Sequence, residues 1–101
     1  MRRMSHDDFE MLWSPDLYAK ALHFAANAHQ GQTVPGSKLP YVVHVCSVAM
    51  EVMTAAASAS ERVEHPDLAV QCALLHDVIE DTDIAYEQVE KVFGQAVAEG
   101  V

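Results

Sequence analysis

In four stretches of this 101-residue chain the apolar residues recur at three- and four-residue intervals, and proline and glycine punctuate the boundaries. That spacing lines one side of an α-helix, whereas a half-buried strand needs strict alternation, which this sequence lacks. Ser14-Pro15-Asp16 opens the first stretch with a capping hydroxyl, a proline preset for the first helical position and an acid at the positive dipole end. Leu17, Ala21, Phe24, Ala25 and Ala28 then share a side until Gly31 ends the helix. A loop from Gly31 to Pro40 follows, broken by Pro35 and Gly36. The second helix is expected from Tyr41 or Val43 to Ser58, with Val45, Val48, Ala49, Val52 and Ala56 on one face.

After a polar link from Glu61 to His65, Pro66-Asp67 is another helix start. Leu68, Cys72, Leu75 and Ile79 are predicted to point inward from one continuous third helix, with Ala69 and Ala73 beside them on the face of His76. An acidic loop, Asp81 to Asp83, precedes a fourth helix from Tyr86 to Phe93, and past Gly94 a fifth begins near Gln95. The expected architecture is an all-α bundle of one domain, residues 14–101, behind a lead-in over residues 1–13.

Charge narrows the partners. Fifteen acidic against six basic residues give a formal net charge of −9, which argues against binding nucleic acid or an anionic membrane, since both need a basic face. An anionic substrate would require local cations to offset that field. Cys46 and Cys72 are not closely spaced and are read as reduced core residues. No run is long and apolar enough to span a membrane. Met1-Arg2-Arg3 is followed at once by acids rather than by an apolar signal core, so a cytoplasmic protein is expected.

The chemistry concentrates in Leu74-Leu75-His76-Asp77-Val78-Ile79-Glu80-Asp81-Thr82, four ionisable side chains set in an apolar run. Residues four apart are neighbours on a helix, so His76 would stand near Glu80 and Asp77 near Asp81, all at one end of one helix. An imidazole beside a carboxylate offers N and O donors to a metal, and the following acids can orient or deprotonate a water. The same dipeptide also occurs at ordinary capped helix ends and in surface ion pairs. His44, opening the second helix, either bonds to loop backbone or adds a second imidazole to His76 and Asp77, which would complete a two-helix donor set for a divalent metal. His29, at the end of the first helix, suits a structural role toward the free carbonyls there.

Phe24-Ala25-Ala26-Asn27-Ala28-His29-Gln30-Gly31-Gln32, Pro40-Tyr41-Val42-Val43-His44, Ala73 through Thr82 and Phe93-Gly94 together resemble the HD-domain hydrolases of the RelA/SpoT type, over about residues 17–101. The resemblance implies an HD-domain-like helical bundle and manganese-dependent hydrolysis of the 3′-pyrophosphate of guanosine tetraphosphate or a related nucleotide. It further implies that His44, His76 and Asp77 are metal ligands and that Glu80 and Asp81 position and activate the attacking water. Asn27, His29 and Gln32 match recurring positions of the family near the loop, where a scaffolding role is expected.

Three departures stand out. Thr33-Val34-Pro35-Gly36-Ser37-Lys38 replaces the family's Arg-Lys pair, leaving Lys38 as the one local cation for substrate; Val45 replaces a proline after the first metal histidine; and the family's last ligand, an aspartate, lies downstream of Val101. The loss of the Arg-Lys pair favours an HD hydrolase for another phosphomonoester or nucleotide as the alternative. The missing aspartate favours a further alternative, a bundle truncated at its C-terminus that serves as an inactive binding or oligomerisation module. A chain of this kind is expected to be weak or inactive as an isolated hydrolase, and either to form a homo-oligomer or to expose apolar surface.

Overall fold

The computed structural model describes residues 13–59 and 64–101. The greater part of the lead-in and of the link after Ser58 lies outside them. Six helices follow in order: α1 Pro15–Ala28, α2 Val42–Ser58, α3 Pro66–Leu75, α4 Val78–Asp81, α5 Tyr86–Phe93 and α6 Gln95–Gly100. Among the described residues there is no strand, only an isolated antiparallel bridge between Thr33 and Pro40. The fold is all-α, as expected.

The start signals work as anticipated. Ser14 Oγ accepts the Leu17 amide at the head of α1, with Pro15 next to it. Asp67, in the first turn of α3, accepts the Ser14 amide as well, so one carboxylate ties the starts of α1 and α3 together. At the start of α5 the Gln88 side chain accepts the Ala85 amide at 2.7 Å, and just before it Thr82 Oγ1 accepts that of Ile84.

Helix α3 lies at the centre, packed against α1, α2 and α6. Its burial differs from the predicted single face. Val70, Gln71, Ala73, Leu74 and Leu75 are buried, whereas Leu68, Cys72 and Ile79 are only half-buried. A helix enclosed by three neighbours has no one inward stripe. Ala21 and Ala25 of α1 and Val45 and Ala49 of α2 face it, all fully buried, and their small side chains let the helices approach closely. Both cysteines are free thiols at half-buried positions, and burial raises the Cys72 pKa above its ordinary value. The outer side of α2 remains apolar and exposed, with Val43 and, at 61% exposure, Met50. No described helix is long and apolar enough to cross a membrane.

The expected continuous third helix is interrupted. It stops at Leu75, and Asp77 adopts φ −100° and ψ 0°, outside the helical region. His76 Nδ1 donates to the Ala73 carbonyl at 2.7 Å, the acceptor that a continuing helix would offer to the Asp77 amide. A new turn then forms, with the Asp81 amide on the Asp77 carbonyl at 2.9 Å. The four ionisable residues therefore come from a junction and a separate one-turn helix.

Candidate metal centre

The break at His76-Asp77 turns both side chains toward the first turn of α2, where His44 waits. One donor atom from each of His44, His76 and Asp77 lies within 4.8 Å of the others, and among the described residues this is the one such group. His76 Nε2 stands 2.8 Å and His44 Nε2 3.8 Å from Asp77 Oδ2. The imidazole side chains are about one-third exposed or more, while that of Asp77 is 16% exposed. The site is thus a shallow cluster with a half-sunk carboxylate, open to solvent on the histidine side.

The donor set fits a divalent ion. With its Nδ1 proton committed to the Ala73 carbonyl, His76 aims Nε2 at the carboxylate. That backbone bond fixes the ring and its tautomer, as an outer partner of a metal histidine does. Two donors about 2.0–2.2 Å from one ion and adjacent on its coordination sphere lie roughly 3 Å apart, close to the observed His76–Asp77 separation. Two imidazoles and a carboxylate also suit a first-row divalent metal.

Tyr41 was not singled out from the sequence as a site residue, yet it organises the cluster. Its hydroxyl donates to Asp77 Oδ2 at 2.6 Å, and its ring lies between those of His29 and His44, with centroid distances of 4.6 and 5.3 Å. The hydrogen bond to Asp77, then burial, then the charges of Asp77 and Asp81 push the Tyr41 pKa up to about 12, so the phenol remains a donor. The one available signal was its position three residues before His44, a single turn away at a helix entrance, where the His44 amide bonds to the Tyr41 carbonyl.

The other predicted residues lie around this centre rather than in it. Glu80 and Asp81 are exposed on α4 and do not join the three-residue group. Asp81 is near enough for its charge to act on the Tyr41 phenol. Lys38 is exposed in the loop before α2 and makes no ion pair with a described residue. His29 caps the end of α1, 3% exposed, with Nδ1 2.9 Å from Gln32 Oε1. Asn27 is exposed on the last turn of α1.

Known proteins are similar to this chain in sequence. The chain is 40% identical over 75 residues to the bifunctional (p)ppGpp synthase/hydrolase SpoT of Escherichia coli K12, an alignment covering 74% of this chain and 9% of that protein. It is 38% identical over 81 residues to the guanosine-3′,5′-bis(diphosphate) 3′-pyrophosphohydrolase MESH1 of Drosophila melanogaster, covering 79% of this chain and 42% of that protein. The MESH1 of Danio rerio gives the same identity over 81 residues, 78% of this chain and 41% of that protein. The chain therefore spans less than half the length of each of these relatives. The sequence profile of the HD domain matches residues 21–101, from the middle of α1 through α6. With a His-Asp pair at the α3–α4 break and a histidine of α2 facing it, the chain belongs to the HD domain family.

Proposed function

We propose that this domain is a metal-dependent phosphohydrolase acting on the 3′-pyrophosphate of guanosine tetraphosphate, with His44, His76 and Asp77 as its metal ligands and manganese as the preferred ion. What carries the reading is the convergence of those three donors at a solvent-open face, in a chain similar to enzymes named for that hydrolysis. Such a role belongs in the cytoplasm and in the stringent response.

A divalent ion in this setting supplies positive charge toward phosphoryl oxygens and acidifies water. The need is acute in a domain of net charge −9, because Asp77, Glu80 and Asp81 would otherwise repel a polyphosphate. His44 and His76 present Nε2 toward Asp77, and Tyr41 holds the Asp77 carboxylate by donating to Oδ2. Glu80 and Asp81, one turn beyond Asp77, orient the attacking water in line with the scissile bond and accept its proton. Phosphoryl transfer asks little of a protein beyond such position and charge. Lys38, on the exposed loop, contributes a cation to the substrate's phosphates.

The loop supports a second reading within the same chemistry. Lys38 is its one basic residue, which suits a different nucleotide or phosphomonoester with fewer charges to match. Incubation of the chain with guanosine tetraphosphate and Mn2+, followed by chromatography, distinguishes these readings. The expected products are guanosine diphosphate and pyrophosphate, lost in Asp77→Asn. Turnover of another member of a nucleotide panel alone would establish the second reading. Absence of both metal binding and turnover would leave a helical binding module.

A further inference from the structure

Gln32 sits where the loop between α1 and α2 closes on itself, and each of its polar groups is engaged. The Pro35-Gly36 turn, with Gly36 at φ +77° and the Ser37 amide on the Val34 carbonyl, reverses the loop. The reversal brings the Tyr41 amide onto the Gln32 carbonyl at 2.9 Å, and the Gln32 amide bonds to the His29 carbonyl at 3.0 Å. In the side chain, Nε2 donates to the main-chain carbonyl of Asp81 at 2.8 Å, and Oε1 faces His29 Nδ1 at 2.9 Å. The orientation of the amide is forced. A carbonyl only accepts, so the NH2 group must face Asp81, leaving Oε1 as an acceptor for a proton on His29 Nδ1. The buried His29 ring is held against Tyr41, although its Nε2 finds no partner among the described residues.

These bonds bracket α4. A one-turn helix has little stability of its own, and its first residues follow Asp77, which Tyr41 grips. Its last carbonyl, that of Asp81, has the Gln32 amide as a partner.

We propose that Gln32 is a positioning residue: its side-chain amide, oriented by His29, holds the end of α4 so that Glu80 and Asp81 face the metal centre. The role of the acidic pair rests on the proposed function, whereas the grip on α4 does not.

The test compares Gln32→Ala and Gln32→Glu with the parent chain. Both variants keep the backbone bond to Tyr41, so Mn2+ affinity should stay within about twofold of the parent. Loss of one hydrogen bond should speed amide exchange in residues 78–82 by about fivefold to tenfold. Misplacement of the acids should lower kcat for guanosine tetraphosphate by about 10–100-fold with KM little changed. Gln32→Glu retains the acceptor for His29 but turns a carboxylate oxygen toward the Asp81 carbonyl, so it should loosen α4 like the alanine variant. It also carries the test if Gln32→Ala does not fold.

Unchanged exchange in residues 78–82 would overturn the proposal, and so would collapse of both variants, which would make Gln32 a part of the core. If the parent neither binds Mn2+ nor turns over substrate, the functional reading fails while the exchange measurement still decides what Gln32 does.

Discussion

Asp77 and the Glu80-Asp81 pair are separated by one turn of chain but held in opposite ways. Asp77 is half-sunk, gripped by the Tyr41 hydroxyl and faced by two imidazoles. Beneath it Leu74, Leu75 and Val78 are fully buried. Glu80 and Asp81 stand in solvent on a four-residue helix whose last carbonyl is tied to the rest of the protein by Gln32. A carboxylate that must keep a fixed position toward a metal needs outer partners. Carboxylates that handle a water and its proton work at a surface that substrate can reach. Under the proposed roles the helix break serves both groups: a continuous α3 would leave Asp77 without its present backbone angles and would carry the acidic pair along the same axis.

The comparison is broken most severely by exchanging the roles. Glu80→Gln or Asp81→Asn should lower turnover by about 10²–10⁴-fold, the usual contribution of a group that handles the proton, while Mn2+ affinity stays near that of the parent. Parallel loss of metal, read by calorimetry, would move these acids into the coordination sphere and erase the distinction between the two regions.

A smaller effect is expected at Tyr41. Tyr41→Phe removes the hydroxyl on Asp77 but keeps the ring between His29 and His44, so metal affinity should fall by about 10–100-fold, the range for an outer partner of a ligand. Unaltered affinity would mean that burial alone positions Asp77.

The smallest effect is on stability in alkali. The folded metal-free protein raises the Tyr41 pKa from 10.0 to about 12, so folding is favoured by this group below the unfolded value. That contribution declines as pH rises from 10 through about 12. Denaturant melts of the parent and Tyr41→Phe should therefore converge over that window. A stability difference that grows with pH would contradict the assigned hydrogen bond.

The sequence carried the helices well because proline, glycine and capping residues act locally. Pro15 and Pro66 start α1 and α3, and Gly94 separates α5 from α6. It carried the interior of α3 poorly. Periodicity assumes one buried side and an unbroken axis, but α3 is enclosed by α1, α2 and α6, so Val70 and Leu74 are buried while Cys72 is not fully so. The break after Leu75 arises from a histidine side chain competing for the Ala73 carbonyl, an event that no propensity scale registers.

Residue chemistry points to His44, His76 and Asp77 as one possible donor set, and the structure brings a donor atom of each within 4.8 Å of the others. Tyr41 escaped because a tyrosine at a helix entrance has the same local signature whether its hydroxyl meets water or a carboxylate. From the sequence alone Gln32 reads as scaffolding. Its specific link to Asp81 spans 49 positions and exists only once the loop has folded back.

The central claim is that His44, His76 and Asp77 form one metal site built by the α3–α4 break. Titration of the metal-free chain with Mn2+, monitored by calorimetry, tests it most directly when repeated with His76→Ala and Asp77→Asn. One ion per chain should bind, and either substitution should weaken binding by more than the 10–100-fold typical of losing an outer partner. Binding of one ion with unchanged affinity in both variants would place the metal elsewhere and contradict the account.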